Sequence, residues 1–427
     1  MESNKNPNPP EKLDIENIRA IKVLGKGAMG TVFLVHHRIS DPSAVSPFAL
    51  KVVDKSLLQF KCDADRRARW EITVLSGFSA GHPFLPTLLG SFETPDLLGW
   101  ALPFCPGGDL NALRFHQPDR VFSPTAIKFY LAEIICAIEH LHSVGIAYRD
   151  LKPENVLVQS SGHVTLTDFD LCQKLTHRKN RARTRSDPDV LKEFKPPPLH
   201  PHVHPHMTTV ANKPVRRKNL MRILSYGSGL EMAQNKTKSA KVSPAVSRRR
   251  LSFAGGKRSN SFVGTEEYVS PEVVKGEGHE YGVDWWALGV LAYEMLYGKT
   301  PFRGNNRKET FRNILMKQPE FIGKRTALID LIEQLLQKNP AKRLGHFRGA
   351  AEVKEHEFFK GLTWDLLTEV RPPFVPDYEG LTAKLTEGFD IRDYFLKRRA
   401  PSSMSSSPMH SDLSSTGDDE SITITEF

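Results

Sequence analysis

The run of residues 147–170, AYRDLKPENVLVQSSGHVTLTDFD, constrains the fold of this chain more than any other stretch. It places Asp150 in a polar turn and Asp168 after a short strand-like segment. Residues 156–158 and 164–167 are strand-like and are separated by a Ser-Gly turn, which predicts a hairpin. Phosphoryl transfer needs such a set of side chains: a carboxylate for the attacking hydroxyl, oxygen ligands for Mg²⁺ and a nearby positive charge.

The same run resembles a known pair of motifs. YRDLKPEN followed by DFD is similar to the catalytic loop and metal-binding motif of protein kinases, usually written H-R-D-x-x-x-x-N and D-F-G. The resemblance implies that Asp150 is the catalytic base, that Lys152 steadies the γ-phosphate of ATP, and that Asn155 and Asp168 hold Mg²⁺. The alternative interpretation is a hairpin with a polar turn that arose by chance.

A glycine-rich segment lies near the start of the chain, where GKGAMGTV matches G-x-G-x-x-G-x-V. Dinucleotide-binding folds use the same glycine spacing, but a helix would follow there, whereas TVFLV predicts a strand. Glycines let the backbone approach phosphate groups closely. With the lysine and hinge described next, the resemblance implies these ATP-binding residues: Leu24, Gly25, Lys26, Gly27, Ala28, Met29, Gly30, Val32, Lys51, Pro103 and Cys105.

An apolar strand, PFALKVVDK, contains a single central lysine, Lys51. It is either an edge lysine that limits aggregation or, by resemblance, the partner of the ATP phosphates and of Glu71 on the helical segment RRARWEITVLSGF. The resemblance also implies that Leu102 is the gatekeeper and that residues 103–105 form the hinge that binds adenine. Because Pro103 has no N–H, its neighbours must supply the hinge hydrogen bonds.

Later segments match the activation segment, central helix and late arginine of kinases in the right order: SFVGTEEYVSPE, VDWWALGVLAYEMLYGKTPF and NPAKRLG. The resemblance implies that Glu272 pairs with Arg343 and that Asp284 braces the catalytic loop. It therefore implies an α+β, bilobal protein kinase fold, with a β-rich N-lobe and a mainly helical C-lobe, over residues 18–359. The amphipathic pattern from Pro124 to His142 predicts a core helix rather than a site.

The segments RPPFVPDYEG and GFDIRDYF resemble the C-terminal extension of AGC kinases, which wraps the small lobe and inserts aromatic side chains into it. We expect this extension over residues 360–396, and disorder in residues 1–17 and in the Ser-rich tail 397–427. The F-x-x-F motif of such extensions is imperfect here, since an arginine stands at its second aromatic position. Docking is left open for three aromatic residues: Phe389, Tyr394 and Phe395.

Two departures narrow the resemblance. Asp170 stands where most kinases carry glycine, and a long insertion, about residues 177–258, separates Asp168 from Glu272. Both features resemble plant AGC kinases of subgroup VIII, and RRRLSF, GGKRSNSFVGT and RGAAEVKEH are most similar to its UNICORN-type members. Asp is among the least costly replacements for Gly at positive φ. Asp170 either tunes Mg²⁺ affinity or faces solvent, and we expect the second because Asn155 and Asp168 already suffice as ligands.

The basic charge of the chain is concentrated in the insertion. The formal net charge is +10, yet residues 177–258 hold about 20 Lys and Arg against about 4 acids, which leaves about −6 elsewhere. Their basic clusters could address the nucleus or dock on anionic lipid or RNA, and the alternative is a solvated loop. We expect a cytoplasmic and nuclear protein with peripheral plasma-membrane association. Alternating His200, His202, His204 and His206 indicate a polyproline-like linker rather than a metal site.

Substrate preference follows from the same resemblance. Lys152, two residues after the base, is typical of serine/threonine kinases. Four positions match substrate-binding sites of basophilic AGC kinases: Asp109, Glu154, Glu294 and Thr265. Carboxylates there favour Arg or Lys two or three residues before the target hydroxyl. The other interpretation of these acids is ordinary surface charge.

Ser261 occupies the activation-loop phosphosite position and follows Arg258 by three residues. Its phosphate is expected to order the segment by pairing with Arg149. The modification comes either from the chain itself or from an upstream phosphoinositide-dependent kinase. Kinase-dead Asp168→Asn protein incubated alone with ATP separates the two, because autophosphorylation is excluded if Ser261 is still phosphorylated in the purified protein.

Composition excludes several other classes. Four scattered cysteines, Cys62, Cys105, Cys136 and Cys172, indicate a reduced compartment and neither a zinc site nor disulfides. No apolar run is long enough for a transmembrane segment, and the polar start is no secretory signal. We expect a monomer. Two alternative functions are a weakly active scaffold, disfavoured by Lys51 and Asp150, and a small-molecule phosphotransferase, disfavoured by the activation segment.

Overall fold

The computed structural model describes residues 12–27, 29–38, 47–58, 63–78, 81–175, 265–278, 280–377 and 388–399. Several sequence predictions fall outside these residues. They concern Ala28, Cys62, the insertion over about 177–258, the phosphosite Ser261, and the tails 1–11 and 400–427.

An antiparallel five-stranded sheet forms the small lobe, in the order β1-β2-β3-β5-β4. Residues that pair across strands share a face of a sheet. Lys51 pairs with Trp100, which defines the inner face, while its neighbour Leu50 pairs with Phe33 on the outer face. The strands are β1 (Ile18–Lys26), β2 (Thr31–His37), β3 (Phe48–Asp54), β4 (Gly90–Glu93) and β5 (Leu97–Pro103).

Two helices follow β3, α1 (Lys55–Leu58) and α2 (Ala64–Ser76). Helix α2 buries one stripe, Ala64, Ala68, Glu71, Val74 and Leu75, whose spacing matches the helical period. The apolar members of this stripe share a core with Val53 and Leu98 of the sheet. Glu71 is therefore carried into the interior of the small lobe on the apolar side of its helix.

The large lobe is mainly helical, as predicted. Its centre is helix α6 (Gly282–Tyr297), which is apolar on all sides and buried along most of its length. A Cβ atom added at Gly289 would lie 2.8 Å from Leu335 Cβ on helix α8 (Ala327–Leu335). A glycine is therefore needed where α6 and α8 cross. The large-lobe helices are α3 (Leu110–Phe115), α4 (Pro124–Ser143), α5 (Pro271–Lys275), α6 (Gly282–Tyr297), α7 (Arg307–Met316), α8 (Ala327–Leu335) and α9 (Ala350–Lys354).

Helix α4 begins after Ser123, whose Oγ accepts a hydrogen bond from Ala126 N, and it buries the apolar positions predicted from the sequence. The predicted hairpin forms from β7 (Val156–Val158) and β8 (Val164–Leu166). Two short strands, β6 (Ile146–Ala147) and β9 (Gln173–Lys174), pair just outside it. Among the helices of the described residues, none is both long and apolar enough to cross a bilayer.

The prediction of disorder is wrong at the inner end of the N-terminal tail. Leu13 N donates to Ser91 O (2.9 Å), and a 3-10 helix, Ile15–Asn17, follows. Leu13 and Ile15 are buried on the outer face of the sheet, together with Ile18 and Phe92. The burial of these two apolar side chains offsets the entropy lost on ordering the segment.

Helix α10 (Ile391–Arg399), the last in the described part of the chain, packs on the outer face of the small-lobe sheet and extends past the expected boundary at 396. Phe389 exchanges two backbone hydrogen bonds with Ala20 of β1 (3.0 and 2.8 Å). The rings of Tyr394 and Phe395 approach Phe33 edge-on, at centroid distances of 5.1 and 6.0 Å. Arg399 pairs with Asp54 at the end of β3 (2.6 Å). The imperfect motif thus docks beside the strands that flank the glycine-rich loop.

Replacing Phe395 with Ala is expected to release α10. The ring is 3% exposed, and losing a buried Phe side chain costs about 3 kcal/mol or more. Amide hydrogen exchange should rise in α10 and in β1, because Phe389 would lose its hold on Ala20. Leu396→Ala is the matched control, since that side chain is 58% exposed. Unchanged exchange in both variants would contradict this docking.

Candidate active site

A buried carboxylate accepts hydrogen bonds from the backbone of the polar turn that follows β6. Asp284 is fully buried in α6 and accepts hydrogen bonds from the backbone N–H groups of Tyr148 (2.9 Å) and Arg149 (2.7 Å). His142 Nε2 lies 2.7 Å from the same carboxylate. Arg149 adopts φ +74°, a left-handed conformation that these bonds hold in place. The predicted brace therefore forms.

Within the turn, three side chains meet. Asn155 Nδ2 donates to the backbone oxygen and to Oδ2 of Asp150, both at 2.8 Å. Lys152 Nζ lies 3.3 Å from the same Oδ2. Thr167 N in turn donates to Asn155 O (3.0 Å), which ties the turn to the strand that leads to Asp168. The Asp150 carboxylate is thus oriented and lies beside a positive charge.

Lys51 joins the small lobe to the second carboxylate. Its Nζ donates to Glu71 Oε2 and to Asp168 Oδ1, both at 2.8 Å, so the predicted lysine–glutamate pair forms. Burial alone lowers the pKa of Lys51, but the two carboxylates outweigh it and hold that pKa above its usual range. Burial raises the pKa of Glu71. Lys51 thus links Glu71 of α2 to Asp168, which it binds through Oδ1.

The turn that carries Asp168 is packed from below. Asp168 adopts φ +59°, and Phe169 is fully buried against Phe78, at a centroid distance of 5.1 Å. Asp170 does not face solvent, as the sequence had suggested: its carboxylate is 5% exposed and pairs with Arg67 of α2. That expectation is wrong because α2 packs directly over the turn and brings a guanidinium to it.

The residues present fit a hard cation that takes some of its oxygen ligands from the protein and the others from a phosphate. Asn155 uses its Nδ2 for hydrogen bonds, which leaves the amide oxygen as a ligand atom, and Asp168 binds Lys51 through Oδ1. Within the described ranges, no group of three or more His, Cys, Asp or Glu side chains forms a closed metal site. Mg²⁺ typically binds one or two protein oxygens and completes its shell with phosphate oxygens and water.

The glycine-rich loop closes the opposite side of the site. Gly27 N donates to Gly30 O (2.8 Å), which forms the turn. A Cβ at Gly30 would lie 2.6 Å from Val52 O, so no larger residue fits. Val32 pairs with Lys51 across the two strands, which joins the loop to the lysine. Leu24, Gly25 and Lys26 end β1, and Met29 packs against the main core.

The predicted gatekeeper and hinge lie at the end of β5. Leu102 is half-buried against the main core, and Pro103 ends the strand opposite Phe48. Cys105 is half-buried, and burial raises the pKa of its thiol to about 12, so it stays protonated at neutral pH. This segment therefore presents backbone groups and a neutral side chain.

The three acids assigned to substrate binding form one negative region. Asp109 caps α3 by accepting from Ala112 N (2.7 Å). Glu294 lies 3.2 Å from Arg114 and accepts from Tyr268 Oη (2.6 Å). Burial raises the pKa of Glu154, and the charges of Glu294 and Asp109 raise it further, so Glu154 lies within electrostatic range of the other two acids.

The P-E dipeptide of the activation segment is held by an ion pair with a late arginine, as predicted. Arg343 Nη1 and Nη2 donate to the two carboxylate oxygens of Glu272 at 2.7 and 2.9 Å. The Arg343 side chain is 1% exposed. Thr265, also predicted to contact substrate, lines a small, open pocket with Asp150 and Tyr268.

Sequence reasoning missed three partners in this site: Arg67, Trp70 and Arg114. Trp70 Nε1 donates to Cys172 O (2.7 Å), just after the Asp168 turn. Arg67 lies four residues before Glu71 and so shares its face of α2. That spacing was the available signal for Arg67, but its partner lies 103 residues further along the chain.

Comparison with known proteins agrees with this geometry. The family model described as "Protein kinase domain" matches residues 18–197 and 232–359. The chain is 54% identical over 407 residues to "Serine/threonine-protein kinase UCN" of Arabidopsis thaliana, covering 93% of this chain and 94% of that protein. It is 53% identical over 411 residues to "Serine/threonine-protein kinase UCNL" of the same plant, with 94% of each covered. "Serine/threonine-protein kinase OXI1" is 41% identical over 373 residues, covering 85% and 80%.

Proposed function

Because this chain belongs to the protein kinase family and is a serine/threonine kinase of the plant AGC type, we propose that it phosphorylates basic-flanked proteins with ATP and Mg²⁺ in growth or developmental signalling. The observation that carries the proposal is the convergence of Asp150, Asn155 and Asp168, with Lys51 bound to Asp168 at 2.8 Å. Kinases of this family generally use ATP and Mg²⁺.

Each side chain has a distinct task in this proposal. Asp150 orients the substrate hydroxyl and accepts its proton as the new oxygen–phosphorus bond forms and the bond to the ADP oxygen breaks. Lys152 stabilises charge on the transferred group, and Lys51 holds the phosphates that stay with ADP. Asn155 and Asp168 would hold Mg²⁺, which supplies charge neutralisation on the phosphate oxygens.

The negative region of Asp109, Glu154 and Glu294 supports the preference for basic substrates. Glu294 is already bound to Arg114 and Tyr268, and Asp109 caps a helix, so Glu154 has the most freedom to take a new cation. A charge-assisted hydrogen bond of 1.5–3 kcal/mol corresponds to roughly tenfold in kcat/KM or more. A substrate arginine beside Glu154 would offset the burial that raises the pKa of this carboxyl group.

An arrayed peptide library with labelled ATP tests the proposal. We expect peptides with Arg two or three residues before Ser or Thr to exceed their Ala counterparts by about tenfold in kcat/KM. Glu154→Gln should reduce this ratio several-fold without changing the rate on Ala peptides. Glu357→Gln is the matched control, because that acid is exposed and pairs with the exposed Lys360.

Two results would contradict it. Equal rates on Arg and Ala peptides would remove the basic preference, and equal rates for wild type and Lys51→Met would remove the assignment of the active site. In the second case the phosphate transfer would not depend on the site built around Lys51.

A further inference from the structure

Helix α2 reaches the Asp168 turn through more than the lysine–glutamate pair. Glu71 contacts the turn through Lys51, whereas Arg67, one helical turn earlier, binds Asp170 directly. Trp70 adds a hydrogen bond to the backbone oxygen of Cys172 (2.7 Å). Residues 168, 170 and 172 of the turn are thus all linked to one face of α2, the first of them through Lys51.

The Arg67–Asp170 contact is built asymmetrically. The Asp170 side chain is 5% exposed, whereas that of Arg67 is 39% exposed. A buried carboxylate that loses its cation pays for desolvation without compensation, but a half-exposed guanidinium can turn to water. A glycine at position 170 would offer α2 no such contact, because it has no side chain.

The position of Asp170 argues against a role as a third metal ligand. Its Oδ2 is already bound by Arg67, and the carboxylate is buried under α2. The Asp168 side chain, in contrast, is 38% exposed. Asp170 therefore pairs with Arg67 of α2, whereas Asp168 is the carboxylate that is open to a cation.

We infer that Arg67 and Asp170 form a latch that holds α2 against the metal-binding turn and thereby keeps Glu71 on Lys51. The two are positioning residues, since they act through Lys51 rather than on the reacting atoms. Its two members lie on α2 and on the turn. The inference rests on the proposed function for its rate measurement alone.

Four variants test the latch: Arg67→Gln, Asp170→Asn, the double variant, and Arg66→Gln as control. Arg66 is exposed on the same turn of α2 and pairs with the equally exposed Asp63. Hydrogen–deuterium exchange of residues 64–76 and 168–172 is measured without nucleotide, and kcat and KM are measured on a basic peptide. A thermal melt of each variant shows that it is folded, and Arg67→Lys serves as the conservative variant.

The expected order of the variants, by their effect on exchange and kcat, follows from how deeply Arg67 and Asp170 are buried. Arg67→Gln should raise exchange of α2 most and lower kcat about tenfold, because it leaves Asp170 buried without a cation. Asp170→Asn should have a smaller effect, about threefold. The double variant should recover to the level of Asp170→Asn, and Arg67→Lys should retain most of the rate. KM for peptide should change less than twofold, and Arg66→Gln should match wild type.

Other outcomes overturn the latch. If Asp170→Asn slows the enzyme and Arg67→Gln does not, Asp170 acts on the metal instead. If the double variant shows the product of the two single losses, the residues act independently. Wild-type protein that phosphorylates no peptide would refute the proposed function, whereas the exchange measurements would still decide the latch.

Discussion

Replacing Asp150 with Asn is expected to lower kcat by about 10³-fold while the fold is retained. The Asn side chain has nearly the same shape, so the hydrogen bond from Asn155 Nδ2 to the residue's backbone oxygen can persist (2.8 Å). The amide cannot accept the hydroxyl proton, however, and general base catalysis contributes about 10²–10⁴-fold. The position next to Lys152 would also lose its negative charge.

Steady-state kinetics with labelled ATP and a basic peptide check this expectation. KM for ATP should change little, because Lys51 and the glycine-rich loop remain in place. Asp365→Asn controls for the loss of one negative charge, since Asp365 is exposed on the large lobe. An Asp150→Asn protein with more than a tenth of wild-type kcat would exclude Asp150 as the base.

Replacing Arg343 with Met is expected to have the largest effect on stability. Arg343 and Glu272 are both nearly inaccessible, and removing one member of a buried pair costs about 3–5 kcal/mol, because the other charge stays buried. For a domain of this size we expect the midpoint of thermal unfolding to fall by roughly 10 °C. The double variant Glu272→Gln, Arg343→Met should recover much of the loss, since no charge is then left unpaired.

The same pair predicts a pH dependence. Burial by itself raises the pKa of Glu272, but its two hydrogen bonds to Arg343 outweigh burial and lower the pKa below the usual 4.5. Stability from this carboxylate is therefore present above pH 4.5 and is lost as the pH falls through its lower folded-state pKa. Thermal unfolding at pH 7 and near pH 3 measures both effects. Arg348→Met, on the exposed pair with Glu355, should leave the pH 7 curve unchanged; an equal shift in both variants would contradict the argument.

Sequence patterns determined those parts of the chain whose contacts are local. The hairpin of β7 and β8, the stripe of α4 and the turn that joins Asp150 to Asn155 all involve residues within about one element of each other. Residue spacing and turn chemistry encode such contacts directly. The pairs Lys51–Glu71 and Glu272–Arg343 were also expected, but from the kinase resemblance and not from spacing.

Tertiary structure alone decided which distant groups meet. Nothing in the spacing of Asp170 indicated Arg67, 103 residues away, and the residue was expected to face solvent. Likewise, the sequence did not predict whether Tyr394 and Phe395 dock. The structure places both rings on the outer face of the sheet, against Phe33. A periodic pattern predicts that a side chain will be buried, but it does not predict which residue will contact that side chain. The contact depends on which faces of separate elements pack together.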